Sequence, residues 1–214
     1  MERNNYDRQV DIAREIFLQY DQTQLIEKFK LTADRDYLYL SYLGSPFRIC
    51  RQSGQVDEHL PEQGWTECRN FSSVMTIYDL LCYHKGSTLP GAAGIWQTVG
   101  SFVVSGVQET DRFTQEAALL FDRHLPMLKE ACQALGGILQ PPAAGADVSC
   151  IFPVTDFFSV LLRFWAKDEE FPPSVSLLWD QNTMQYLHFE TTFYLQGDLL
   201  ERLSALLKRK NTSN

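Results

Sequence analysis

The sequence has no apolar run long enough to cross a membrane, which takes about 20 consecutive apolar residues. The opening stretch, MERNNYDRQVDIARE, is polar and holds no apolar segment of the kind found in secretory signal peptides. These two absences predict a cytoplasmic protein with no membrane partner.

Paired cysteines and phosphate-binding glycine motifs are also missing. The five cysteines are widely spaced and form no C-x-x-C pair, which argues against a disulfide framework, a zinc knuckle or an iron–sulfur cluster. The glycine-rich stretch LPGAAGIWQTVGSF contains neither G-x-x-x-x-G-K-[ST] nor G-x-G-x-x-G. The sequence therefore identifies no cofactor.

Positive charge is scarce. Lysine and arginine number 19 against 27 aspartates and glutamates, a formal net charge of −8. Such a surface repels nucleic acid, so no nucleic-acid partner is expected. The one basic cluster, residues 208–210, follows a helical pattern and is interpreted as compensation of the helix dipole and an aid to solubility, with a nucleic-acid-binding tail as the alternative.

Apolar residues are abundant. They make up 44% of the 214 residues, and aromatic residues make up 13%, which is enough for a sizeable core. We expect a single domain over residues 1–214. Its parts are N-terminal helices and a hairpin (1–70), a helical middle (71–137), and a C-terminal sheet and helix (148–208).

Hydrophobic periodicity predicts the elements of the N-terminal half. Helices are expected at 6–20 and 23–29, followed by a β-hairpin at 37–51. A long polar loop is expected at 52–69 and a third helix at 71–86. Thr23 is the predicted N-cap of the second helix, and Ser72 or Ser73 that of the third.

In the C-terminal half a helix is predicted over 111–135, with a cap at Thr110. Pro126 predicts a kink in it, or a break into two helices, near His124. Strands are predicted at 148–154, 157–165 and 174–180, and a helix at about 197–208. The segment HFETTFYL before that helix fits either a strand or a helix. The fold class is α+β, an antiparallel-rich mixed sheet with helices packed mainly on one face.

The two tryptophans of the last strands, Trp165 and Trp179, lie in apolar runs and are expected to be buried in the C-terminal sheet.

Several fragments of the chain form a recognisable pattern. F-W-x-x-D-E-E-F-P-P is followed by L-W-D and by an acid ten residues later, and TIYDLLCYHKG, GIWQTV, LGG and IFPV precede it. This pattern resembles an uncharacterised bacterial and archaeal family known only as a domain of unknown function. The resemblance implies a region of interest at the recurring positions of the family pattern, which are Asp168, Glu169, Phe171, Pro172, Asp180 and Glu190. It implies no reaction, and the cysteines of an iron–sulfur region found in some members are absent here.

The acidic stretch of this pattern has two readings. In the first it is a strand-to-strand connection with solvated acids, in which Phe171 tucks back and two prolines stiffen the return. In the second, Asp168, Glu169 and Asp180 join His188 and Glu190 around a divalent metal or in acid–base chemistry. His188 and Glu190 share a face only if their segment is extended.

Two further places in the sequence have residues capable of catalysis or ligand binding. Cys82 and His84 form a C-Y-H sequence that suits a nucleophile and its base, although free cysteine is usually a small core residue. His124 shares the apolar face of its helix, where a core histidine is more common than a ligand.

Two functions remain open. The favoured one is a non-catalytic module that binds a small ligand or a protein through a half-open sheet face and long loops, because motifs for nucleotide, nucleophile and metal are missing. The alternative is a metal-assisted enzyme, such as a hydrolase, built on the carboxylates and the histidine.

Overall fold

The structure is a computed structural model that describes residues 5–103 and 112–211. The chain divides into two compact units. Unit 1 consists of residues 1–91, 155–157 and 182–195, and unit 2 consists of residues 92–154, 158–181 and 196–214. The chain thus passes between the units five times.

Helices and a five-stranded sheet make up unit 1. The helices are α1 (Asn5–Leu18), α2 (Gln22–Phe29) and α3 (Phe71–Cys82), and a 3-10 turn spans Thr183–Gln185. The strands are β1 (Thr32–Ala33), β2 (Tyr37–Tyr42), β3 (Ser45–Cys50), β4 (Val56–Leu60) and β5 (Gly64–Glu67). They pair in sequence order, each antiparallel to the next.

The core of unit 1 forms where α1 packs on α3. The rings of Phe17 and Tyr78 lie 5.9 Å apart, and both side chains are buried. Alternate residues of β2 and β3, among them Leu38, Phe47 and Ile49, are fully buried as well. The sheet therefore hides one apolar face, as an antiparallel sheet with one solvated side does.

The predicted loop over 52–69 is wrong, because β4 and β5 occupy most of it. The strand β4 reads as polar, yet its Asp57 lies directly opposite Arg48 of β3. Nε of Arg48 donates to Oδ2 of Asp57 at 2.8 Å, and the guanidinium lies over the rings of Tyr37 and Trp65. A charge pair across the strands stabilises the sheet while removing the alternating apolar pattern that identifies a strand.

Turns and caps also differ in detail from the prediction. The β2–β3 turn lies at Leu43 and Gly44, which both have positive φ, so Pro46 belongs to β3. Asp21 rather than Thr23 caps α2, and Asn70 rather than a serine caps α3. In each helix the cap oxygen accepts from the backbone N–H groups of the first turn, as carboxylate and amide oxygens do.

A second five-stranded sheet and its helices make up unit 2. The strands are β6 (Trp96–Gln97), β7 (Ile138–Leu139), β8 (Val148–Thr155), β9 (Phe158–Trp165) and β10 (Ser174–Asp180), in the order β6-β10-β9-β8-β7. The helices are α4 (Arg112–Arg123) and α5 (Leu125–Ala134), and a 3-10 turn spans Val99–Phe102. The α+β class is confirmed, with two antiparallel sheets where one mixed sheet was expected.

The helical predictions of this half differ in outcome. The break before Pro126 is confirmed, since α4 ends at Arg123 and α5 begins at Leu125. The predicted cap at Thr110 lies outside the described residues. The last helix, α6 (Phe189–Asn211), begins eight residues before the predicted start at 197, so HFETTFYL is helical from Phe189 onward. Its residues through 195 belong to unit 1 and the remainder to unit 2.

The two tryptophans differ in burial. Trp179 of β10 is fully buried, as predicted, in a core that also holds Phe121, Phe152 and Phe164. Trp165 ends β9 and is only half-buried, so its prediction was wrong. Its indole Nε1 donates to the carbonyl oxygen of Ala144 at 3.1 Å, which places it at the margin of the sheet.

We predict that Trp179→Ala lowers the free energy of unfolding by about 3–5 kcal/mol, because it empties a large volume in a closed core. The matched variant Trp165→Ala should cost no more than about 2 kcal/mol, because that ring is already partly hydrated. Chemical denaturation of both variants measures the difference. Equal losses would contradict the assigned burial.

The expectation of a single domain has its own test. Because each unit is assembled from three separate stretches of chain, no single cut releases either one. We predict that a fragment ending after residue 91 does not fold by itself. Circular dichroism and a cooperative thermal transition of the purified fragment measure this, and a fragment with a sharp transition would contradict the prediction.

Candidate functional site

The acidic stretch DEEFPP connects β9 to β10 and is organised by its own first carboxylate. Oδ1 of Asp168 accepts from the backbone N–H groups of Glu170 and Phe171, at 2.8 and 2.7 Å. These two bonds stabilise the charged form and hold the pKa of Asp168 below its usual value. Glu169 is exposed. The turn is thus explained by local hydrogen bonding.

Phe171 does not tuck back as expected, since its side chain is 66% exposed. The backbone of Asp168 also bonds to it, with the N–H of Asp168 donating to the carbonyl oxygen of Phe171 at 3.1 Å. The turn is therefore closed by hydrogen bonds in both directions between Asp168 and Phe171.

Asp180 ends β10 and is 6% exposed. Its Oδ2 accepts from the backbone N–H of Gly94 at 2.7 Å, next to the point where β6 pairs with β10. Asp168 precedes the other end of β10, so the length of a seven-residue strand, about 20 Å, separates the two carboxylates. They do not share a site within unit 2.

The five predicted site residues divide between the units. Asp168, Glu169 and Asp180 belong to unit 2, whereas His188 and Glu190 belong to unit 1. Across residues 5–103 and 112–211, no three histidine, cysteine, aspartate or glutamate side chains are grouped as metal ligands.

A cavity of about 780 Å³ lies within unit 1, and its residues come from three elements. The helix α1 contributes one side, the helix α3 and the residues after it a second, and the segment from Gln185 to Tyr194 a third. Half of the lining side chains are apolar or aromatic and half are polar, and the polar ones come from all three sides: Gln9, Ile12, Ala13, Ile16, Met75, Tyr78, Asp79, Cys82, Tyr83, His84, Lys85, Gln185, His188, Glu190, Thr191 and Tyr194.

Asp79 is the polar centre of this cavity. Its Oδ2 accepts from the backbone N–H of His188 at 2.7 Å and from Oγ1 of Thr191 at 2.6 Å. Its Oδ1 accepts from Nδ1 of His188 at 2.6 Å. One carboxylate of α3 therefore holds the residues that begin α6.

The bond to Asp79 selects the tautomer of His188. A carboxylate only accepts, so Nδ1 of the ring carries a proton and, in the neutral imidazole, Nε2 carries the lone pair. Within the described part of the chain Nε2 has no hydrogen-bond partner, and 62% of the side chain is exposed. The ring lies edge-on to Tyr83, with centroids 4.2 Å apart. A fixed, accessible acceptor results.

Glu190 lines the same cavity, although it follows His188 by only two residues. The two side chains meet there because His188 precedes α6 and is not part of the helical period. Glu190 is exposed, and its carboxylate bonds to no other residue within 5–103 and 112–211.

The neighbouring cation, Lys85, is directed to other groups. Its Nζ donates to the hydroxyl of Tyr20 and, at 3.1 Å, to the carbonyl oxygen of Cys82. The ammonium group thereby satisfies a carbonyl at the end of α3, where a positive charge complements the helix dipole.

The C-Y-H sequence does not form a nucleophile and base. Burial raises the pKa of Cys82 to about 12, so its thiol stays protonated near neutral pH. The ring nitrogens of His84 lie 3.0 and 2.9 Å from the carbonyl oxygens of Gln185 and Thr88. His84 thus connects two loops instead of activating a thiol. His124 is half-buried between α4 and α5, where its carbonyl accepts from the turn that starts α5.

Sequence reasoning missed Asp79, the residue that organises the cavity. Asp79 is the only charged residue in the apolar stretch of α3, VMTIYDLLCY, and a charge at such a position calls for a partner. Its partners lie more than 100 residues away along the chain, so periodicity could not identify them.

No helix in the described ranges is long and apolar enough to span a membrane.

Comparison with known proteins gives a family and no activity. No curated protein matches the chain, and no solved structure matches it. One family model matches residues 21–202, which is most of the sequence and includes both the acidic turn and the residues of α3 and α6 that meet at Asp79. The resemblance noted in the sequence is confirmed: the chain belongs to the family described as Domain of unknown function (DUF3786).

Proposed function

We propose that this protein is a cytoplasmic binding module that holds a small, largely apolar organic molecule in the unit 1 cavity. The observation that carries the proposal is the cavity itself, in which apolar side chains of α1 and α3 lie beside the fixed His188–Asp79 pair. Its volume of about 780 Å³ is within the range of known ligand pockets, about 300–1,000 Å³.

The surface of α1 supports this reading. Ile12 and Ile16, one helical turn apart, are 47% and 42% exposed and line the cavity. Phe17 of the same helix is fully buried in the core. A surface helix needs only one apolar stripe to pack on the core. A second apolar pair that faces open space therefore indicates a surface that a ligand covers.

The polar groups would then set the orientation of the ligand. Asp79 fixes the ring of His188, and this arrangement offers Nε2 as a hydrogen-bond acceptor beside apolar walls. A few well-placed polar groups among apolar ones are typical of selective small-molecule sites.

A second candidate function is acid–base catalysis at the same place. A histidine whose Nδ1 donates to a carboxylate, and whose Nε2 is accessible, has the arrangement of a general base. This candidate requires no metal. The metal-assisted alternative with Asp168, Glu169, Asp180, His188 and Glu190 has a different signature, which is metal that depends on Asp180.

We predict that Asp180→Ala lowers the free energy of unfolding by about 1.5–3 kcal/mol, because the N–H of Gly94 loses a charged acceptor. Asp180→Asn should cost less, since the amide oxygen still accepts. Thermal unfolding and metal analysis of protein purified without chelator measure both. Stoichiometric metal in the wild type that disappears in Asp180→Asn would favour the metal-assisted enzyme instead.

The binding proposal predicts saturable uptake of the neutral fluorescent probe N-phenyl-1-naphthylamine. Ala13→Trp places an indole in the cavity and should weaken the probe about tenfold or more, equivalent to about 1.4 kcal/mol. Fluorescence titration measures the dissociation constant.

The matched control is Leu18→Trp, on the same helix at an exposed position that does not line the cavity. Thermal unfolding establishes that both variants are folded. Equal loss of probe binding in the two variants, or no saturable signal in the wild type, would contradict the proposal.

A further inference from the structure

The end of the unit 1 cavity next to Asp79 offers two unused acceptors. Nε2 of His188 and the carboxylate of Glu190 both line it, and neither bonds to another residue in the part of the chain that the structure describes. Asp79 already accepts three hydrogen bonds. A ligand that uses these two acceptors donates to them.

The charges of the lining favour a cation. Two carboxylates, Asp79 and Glu190, face one ammonium group, Lys85, and that group already donates to Tyr20 and Cys82. The formal charge of the whole chain, −8, acts in the same direction by attracting cations to the surface.

Aromatic rings add to this preference. Tyr83 and Tyr194 line the cavity together with His188 and Glu190. Phenol rings attract an organic cation through the negative face of the π-system, and they also pack well against an apolar body. One ligand can use both properties if a charged nitrogen is attached to a hydrocarbon group.

From these observations we infer that the ligand is an amphiphilic organic amine, bound as its ammonium form. The N–H groups donate to Nε2 of His188 and to the carboxylate of Glu190, while the apolar body lies against Ile12 and Ile16 of α1. This inference rests on the proposed function, since it assigns the chemical class of molecule that the cavity takes.

Three compounds of similar size and different charge test the inference: 2-phenylethylammonium, 2-phenylethanol and 3-phenylpropanoate. Isothermal titration at about pH 8, where alkylamines are still charged, measures their affinities. We expect the ammonium compound to bind roughly 3-fold to 10-fold more tightly than the alcohol, and the carboxylate to bind most weakly. Added salt should reduce the preference.

Glu190→Gln separates charge from shape. It should remove most of the ammonium preference while leaving the affinity for the alcohol unchanged. The matched control is Glu15→Gln, which removes an exposed carboxylate of α1 that does not line the cavity and should change neither affinity.

The outcomes separate the two proposals. If the naphthylamine probe binds but the ammonium compound binds no better than the alcohol, or the carboxylate binds best, the amine assignment is wrong and the binding function stands. The assignment is equally wrong if the probe binds and none of the three compounds does. If neither the probe nor any of the three compounds binds, both proposals fail.

Discussion

The carboxylate of Asp79 is the constraint on which the organisation of the unit 1 cavity depends. It satisfies the backbone N–H of His188, the ring of His188 and the hydroxyl of Thr191 at once. The first N–H groups of any helix lack partners within the helix, and a negative charge stabilises that end. Asp79 supplies both for the start of α6, so the side chain that places the cavity's acceptor also explains where this helix begins.

The elements that form because of residues within a single segment of the chain were predictable from the sequence. The buried face of β9, with Phe158, Val160 and Phe164, follows from alternation alone, and the break before Pro126 follows from the geometry of proline. The hairpin β4–β5 was not predictable, because Asp57 is a strand residue only through its bond to Arg48 of β3. The early start of α6 was not predictable either, because the contacts at that start come from Asp79, more than 100 residues away along the chain.

The candidate site also combines features that the local sequence predicts with features that depend on distant contacts. Asp168 and Asp180 stand out in the sequence as carboxylates beside apolar runs, yet both accept from backbone N–H groups. The partners of Asp168 lie in its own turn, whereas Gly94, the partner of Asp180, lies 86 residues away along the chain. His188 and Glu190 were identified for a metal, and they share a cavity instead through their position at the start of α6. Asp79, which holds His188 in place, was only weakly indicated by the sequence, as a charged residue inside an apolar helix.

The two faces of α1 connect this geometry to function. Phe17 secures the helix against α3, so the stability of the core does not require Ile12 or Ile16 to be covered. Contact with water is unfavourable for an isoleucine side chain, and burying one lowers the free energy by about 1.5–3 kcal/mol. A ligand that covers both would recover that free energy, while the fixed acceptor at His188 would decide which apolar molecules are admitted. In the proposed binding function, apolar contact would provide affinity and the arrangement held by Asp79 would provide selectivity.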